Sequence, residues 1–158
     1  MMKISQNLWF EKDMQAALET YVSLIPGSSI DSTSALQAES PSGPAGSVRM
    51  ATFTLGDQAY RAFEARIDET FNHRFSIVVE CADQAEVDRL WEGLGEGGRI
   101  EQCGWLRDRW GVSWQILPRR LGELMADPDP AKARRVAEAM LKMVKLDIAG
   151  LEAAANAA

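Results

Sequence analysis

One histidine and two cysteines are all that this chain of 158 residues offers from the two side-chain types most used to hold transition metals. A His-rich or Cys-rich metal centre is therefore excluded at the outset. Cys81 and Cys103 lie too far apart in sequence for a CxxC redox or zinc motif, and Cys81 in "SIVVECA" reads as a small buried apolar residue. Excess positive charge is also missing. The formal net charge is −6 and the isoelectric point about 4.9, an acidic balance that repels phosphate backbones and argues against nucleic-acid binding. No apolar run approaches the roughly 20 residues that span a bilayer. The stretch "MMKISQNLWFEKDM" has no apolar segment of signal-peptide type, so a cytoplasmic protein that avoids membranes is expected. Finally, no glycine-rich turn follows a strand with an acidic residue some 20 positions on. The pattern for S-adenosylmethionine or a dinucleotide is thus absent, and no cofactor is expected. "GEGG" at 95–98 follows a helical stretch and reads as its stop.

What is present has the composition of a globular domain, with 46% apolar and 25% charged residues. "KISQNLWF" alternates Ile4, Gln6, Leu8 and Phe10 against Lys3, Ser5, Asn7 and Trp9, which predicts a strand. Asp13 is expected to cap a helix carrying Met14, Ala17, Leu18, Tyr21, Val22 and Ile25 at a 3.6-residue rhythm. Residues 37–47, "QAESPSGPAGS", form a polar loop. "SVRMATFTLGDQAYRAFEAR" predicts a hairpin around "GDQ", and "FSIVVECA" a buried strand. Asp83 with Glu86 makes a capping box ahead of Val87, Leu90, Trp91 and Leu94. "RIEQCGWLRDRWGVSWQILP" supplies strand material and a further hairpin. In the tail, Asp129 before Pro130 is an N-cap and N1 pair. Val136, Met140, Val144, Ile148 and Leu151 then make an apolar stripe for one long helix or two shorter ones.

Shifting the chain by 70 residues brings Asp13 onto Asp83, Ala17 onto Val87, Tyr21 onto Trp91, Leu24 onto Leu94, Gly27 onto Gly97 and Ile30 onto Ile100. Both copies run strand, capped helix, glycine stop, strand. The fold class that follows is α+β: two β-α-β-β-β modules, residues 1–66 and 67–118, forming a curved mixed sheet around a cavity, with a helical extension over 119–158. On that shift Gln6 and Ser76 are equivalent.

The segment "FSIVVECADQAEVDRLWEGLGEGGRIEQCGWLRDRWGVSWQILP", with the "LWF" of the first strand, resembles the PhnB-like group of the vicinal oxygen chelate superfamily. That superfamily includes glyoxalase I, bleomycin-resistance proteins and extradiol dioxygenases. The group is described as 3-demethylubiquinone-9 3-methyltransferase-like, and the resemblance spans about residues 4–118. It implies paired β-α-β-β-β modules and a homodimer. Metal-using members hold a divalent ion with His and Glu from facing strands, and those places fall here near Gln6, Ser76 and Gln115, with a further one near Ala62–Glu64. Amide and hydroxyl groups replace the charged donors that such ions require, so no metal is expected. Only Glu64 could supply a carboxylate.

The candidate ligand-binding residues are accordingly Gln6, Glu64, Ser76, Glu80, Trp110, Ser113 and Gln115. Neutral polar groups in an apolar cavity orient a small molecule by hydrogen bonds. Gln115 reads alternatively as a bridge between backbone groups, and Glu80 as an ion-pair partner for Arg61 or Arg107. Trp110 fits a cavity rim or a dimer contact, Trp114 packs against a helix, and the lone His73 in "ETFNHRF" reads as a surface residue. The function expected is metal-free binding of an aromatic or amphipathic small molecule. The alternative is a metal-dependent enzyme of the glyoxalase or dioxygenase kind.

Overall fold

The computed structural model describes residues 1–158. The chain divides into two compact units, Met1–Thr70 and Phe71–Ala158. No helix is long and apolar enough to cross a membrane.

In the first unit β1 (Gln6–Phe10) leads to α1 (Met14–Leu24), then β2 (Ser29–Ala35), β3 (Arg49–Leu55) and β4 (Gln58–Glu64). The sheet order is β1-β4-β3-β2, with β1 and β4 parallel and the other pairs antiparallel. The period of two divides each strand between two faces. Leu8 and Phe10 of β1, Ala51, Phe53 and Leu55 of β3, and Tyr60 and Ala62 of β4 are buried. The buried side of α1, formed by Met14, Ala17, Leu18 and Tyr21, completes this core. The opposite side of the sheet, its far face, carries Asn7 and Trp9, Met50, Thr52 and Thr54, and Ala59, Arg61 and Phe63, none of them fully buried.

The entry to α1 departs from the capping expected of Asp13. That residue has a positive φ of 61° and its side chain makes no cap hydrogen bond. Glu64 takes the role instead, its Oε2 accepting from the Met14 backbone N–H at 2.8 Å. A carboxylate at a helix N-terminus meets unpaired N–H groups and the positive end of the dipole.

The second unit repeats the plan. β5 (Ile77–Cys81), α2 (Gln84–Gly95), β6 (Arg99–Ile100), β7 (Trp105–Arg107) and β8 (Ser113–Pro118) form a sheet ordered β5-β8-β7-β6, with β5 and β8 parallel. Here the capping box forms. Asp83 accepts from Glu86 N–H at 2.9 Å, and Glu86 Oε2 accepts from Ala82 N–H at 2.7 Å. Ile77, Cys81, Leu106, Trp114 and Ile116 pack with Val87, Leu90, Trp91 and Leu94. "FSIVVECA" is not buried on both sides. β5 ends its sheet, and Val78 and Glu80 are exposed while Ile77 and Cys81 are buried.

Three helices follow: α3 (Arg119–Met125), α4 (Pro130–Met140) and α5 (Ile148–Asn156). They share a core of Leu121, Leu124, Val136, Leu146, Leu151 and Ala155. The Asp129 cap forms, accepting from Ala131 N–H at 3.0 Å. The stripe expected through Val144 breaks because residues 141–147 are not helical, so Val144 is exposed and Leu146 turns inward. That linker docks by its backbone instead, with Cys103 and Gly104 donating to the carbonyls of Met143 and Val144.

The "DRWG" corner between β7 and β8 is organised by one buried carboxylate. Asp108 Oδ1 accepts from the backbone N–H groups of Trp110 and Val112, both at 3.0 Å, and Oδ2 accepts from Trp114 Nε1 at 2.9 Å. Removing it orphans three donors, two of them buried. Asp108→Ala is expected to destabilise the protein by about 3 kcal/mol or more in urea unfolding. Asp108→Asn, which keeps one oxygen acceptor, should lose less.

Burial pushes the Cys81 thiol up to about 11. At neutral pH a disulfide reagent should therefore leave Cys81 unmodified in the folded protein and react with the half-buried Cys103. Both should react after denaturation.

Candidate functional site

The parallel strand pairs of the two units give a direct internal equivalence. Gln6 faces Tyr60 and Asn7 faces Arg61 in the first, while Ile77 faces Trp114 and Val78 faces Gln115 in the second. Between β1 and β5 the repeat is therefore 71 residues, not the 70 that aligns Asp13 with Asp83, and between β4 and β8 it is 54. One extra residue lies between β1 and α1, and a slip of one reverses which side chains share a face. Ser5, not Gln6, answers to Ser76, and Arg61 answers to Gln115. Gln6 lies on the Leu8 and Phe10 side of β1 and is half-buried. Glu64 lies on the Tyr60 side of β4, where it caps α1 and stands 3.9 Å from Arg49 Nη1. Neither shares the far face of the first sheet with Arg61.

That far face holds an open hollow of about 810 Å³ lined by Lys3, Ser5, Asp31, Thr52, Thr54 and Arg61. A smaller hollow of about 170 Å³ continues along it past Arg61 to Met50 and Phe63. Hydroxyls and charges are ordered across β2 and β3. Ser32 and Thr52 hydroxyls lie 2.6 Å apart, and Thr54 Oγ1 donates to Asp31 Oδ2 at 2.9 Å. Hydrogen bonds from Ser29 and Thr54 hold the Asp31 carboxyl below the usual carboxylate range. Arg61, by contrast, is exposed and makes no ion pair or side-chain hydrogen bond with the chain. At the inner end of the same face Trp9 and Phe63 meet edge to face, with ring centroids 5.8 Å apart.

The second sheet brings together three of the residues expected from the sequence. Gln115 Nε2 donates to Ser76 Oγ at 3.0 Å, and Ser113 lies two residues from Gln115 on the same face of β8. Glu80 is on that side of β5 but exposed, paired with Arg119 Nε at 3.3 Å rather than with Arg61 or Arg107. Trp110 is half-buried at the corner, with the Arg109 guanidinium 5.3 Å from its ring centre. Trp114 is fully buried on the α2 side.

His73 is not the surface residue expected. Its Nδ1 lies 2.7 Å from Ser113 Oγ, its Nε2 is bonded to Glu101 Oε2, and its ring meets Trp105 edge to face at 4.8 Å. Glu101 Oε1 is flanked by Arg107 Nε at 3.3 Å and Arg99 Nε at 3.7 Å. Sequence reasoning did not join Glu101, Arg107 and Trp105 to His73. A signal for them exists, because the hairpin register sets Arg99 opposite Arg107. Facing like charges destabilise a sheet unless a carboxylate lies between them, and Glu101 is the adjacent acid.

No three His, Cys, Asp or Glu side chains converge anywhere in the chain in a way that could hold a metal ion. Near the places where the resemblance puts metal donors the chain has Gln6, Ser76, Gln115 and Glu64, the last engaged at the start of α1, while Ser5 and Arg61 are the residues that answer to Ser76 and Gln115 in strand register. These residues do not fit a divalent cation, which takes carboxylate or neutral imidazole donors.

The profile of the 3-demethylubiquinone-9 3-methyltransferase family matches residues 2–117. No match was found among curated proteins. Among solved structures the chain is similar to a PhnB protein from Bacillus cereus that carries the same methyltransferase description. The two are 32% identical over 74% of this chain and 99% of that one, with a TM-score of 0.66. A protein from Pseudomonas aeruginosa is 24% identical over 75% of this chain and 98% of its own, with a TM-score of 0.58. The fosfomycin resistance protein FosX of Listeria monocytogenes, solved with Mn(II) and sulfate, is 13% identical over 73% of this chain and 89% of its own, with a TM-score of 0.50. The last two share the fold. With its two β-α-β-β-β units and these matches, the chain belongs to the PhnB-like 3-demethylubiquinone-9 3-methyltransferase family.

Proposed function

We propose that this protein binds a small aromatic or amphipathic molecule bearing an anionic or oxygen-rich group, without a metal ion, and acts as a homodimer. The observation that carries the reading is Arg61. It occupies the position in the first sheet that answers to Gln115 in the second, and it stands unpaired at the hollow of about 810 Å³. Ligand sites commonly enclose roughly 300–1,000 Å³ and use a few fixed polar groups for orientation. Ser5, Thr52 and Thr54 supply hydroxyls beside the guanidinium, and Phe63 with Trp9 supplies an apolar aromatic end. A fixed positive charge at this position repels the cation that the Listeria relative holds, and the one nearby acid of β4, Glu64, is engaged at the N-terminus of α1. The methyl transfer in the family's description finds no support in the strand-to-helix turns. Residues 11–13 and 82–83 contain no glycine, and neither turn has the pattern that cradles S-adenosylmethionine.

Homodimerisation is supported by the sheet edges. β1 and β5 each end their sheet, and an end strand presents N–H and C=O groups that a second copy can pair.

A thermal-shift screen of phenols, quinones and aromatic carboxylates tests the binding reading, since a ligand selective for the native state raises the melting temperature. Hits are expected. Arg61→Ala should weaken them by about tenfold or more, the loss of a charge-assisted hydrogen bond, while leaving the melting temperature of the free protein unchanged. Metal analysis of protein purified without chelators should find no stoichiometric divalent ion. One equivalent of zinc, manganese, nickel or iron per chain would establish the metal-dependent alternative.

Light scattering on the eluted protein should give twice the chain mass of 17.4 kDa. A monomer at micromolar concentration would remove the dimer from the reading.

A further inference from the structure

The second unit holds a cluster that ligand binding on the first sheet does not use. His73 sits between a hydroxyl and a carboxylate, and each contact fixes the role of the other. Glu101 Oε1 pairs with two guanidinium groups, and a carboxylate so paired accepts hydrogen bonds rather than donating them. His73 therefore carries its proton on Nε2, donating to Glu101. The bare Nδ1 is left to accept from Ser113 Oγ, 2.7 Å away. This is the order nucleophile, base, orienting acid that activates a serine. The ring is turned so that Nδ1 meets the hydroxyl and Nε2 the acid.

Arg107 supplies a second observation. Arg107 lies directly across from Ser113 on the neighbouring strand. Its Nε is buried and has no hydrogen-bond acceptor, although Glu101 Oε1 is 3.3 Å away. Buried donors rarely remain unpaired. Gln115, two residues along β8, turns its amide NH2 to the same face and donates to Ser76 at 3.0 Å. Arg107 and Gln115 thus put two side-chain donors on the same face of the sheet as Ser113. Trp105 lines the His73 side. Ser113 is only 1% exposed, so the acyl group it takes must be small.

We propose that Ser113 is an activated nucleophile that hydrolyses small carboxylic esters. Ser113 Oγ attacks the ester carbonyl carbon while its proton passes to His73 Nδ1. The bond from carbon to the alkoxy oxygen breaks, and the alkoxy group leaves as the alcohol with the proton from His73. Water then attacks the acyl-Ser113 ester, giving one proton to His73, and the acid departs as Ser113 Oγ recovers that proton. Ester and water become acid and alcohol, with no other reactant. Glu101 is a positioning residue, holding the ring and its tautomer.

The experiment uses the full-length protein with p-nitrophenyl acetate, following nitrophenol release and locating the acetyl group by mass spectrometry. A burst and an acetyl adduct on Ser113 are expected, both lost in Ser113→Ala. His73→Gln, which keeps a hydrogen-bonding partner for the serine, should slow acylation by about 100-fold or more. Glu101→Gln should lower the maximal acylation rate and leave the half-saturating ester concentration unchanged. Circular dichroism and melting of each variant report folding, and if Ser113→Ala does not fold, His73→Gln on the native serine reads the same step. No adduct, an adduct only on lysines or the N-terminus, or equal acylation in His73→Gln would overturn the proposal. Ligand binding dependent on Arg61 is read separately and stands or falls by itself.

Discussion

Asp108 is the constraint on which the second unit's chemistry depends. Its carboxylate gathers two backbone N–H groups of the "DRWG" corner and the Trp114 indole, which closes the turn between β7 and β8 at a single length. Turn length sets strand register, and register sets which side chains share a face. With the corner closed, Arg107 stands opposite Ser113 and Trp105 opposite Gln115, while Leu106 and Trp114 face the core. A charged group fully engaged by donors is well suited to this, because any other register leaves it buried and unpaired. The polar surface of β7 and β8 is thus held in place from beneath.

Much of the architecture was legible in the residues. The alternation in β1, the glycine stops, the capping box at Asp83 and the Asp129–Pro130 start of α4 are local signals, and each corresponds to an observed element. The repeat was legible too, though not its register. Helix starts carry strong marks, so aligning Asp13 with Asp83 was natural. The strands carry weaker marks, and an extra residue between β1 and α1 moved the correspondence from Gln6 to Ser5. Asp13 itself shows the limit of a local rule. It has the right side chain in the right place, but a left-handed backbone turns it away and a carboxylate 51 positions later does the work.

The candidate site divides along the same line. Ser76, Ser113 and Gln115 could be placed from strand alternation alone, and they come together. His73, Glu101 and Arg107 could not. Their association depends on a loop folding back over β8 and on the hairpin between β6 and β7, contacts that join residues 28 and 40 positions apart. A lone histidine in a polar loop carries no periodic signal. Only charge compatibility across the Arg99 and Arg107 register pointed toward Glu101.

Glu64 has an implication for how this lineage can change. A carboxylate that satisfies the first turn of a helix is withdrawn from every other use of its charge. Recruiting an acid on β4 to a cation would first require the start of α1 to be satisfied by some other group, such as a serine or asparagine able to adopt a β-region backbone at position 13. Relatives that exchange one role for the other should therefore differ at both positions together, because the intermediate with neither leaves the first turn of α1 uncapped, at a cost of about 1 kcal/mol.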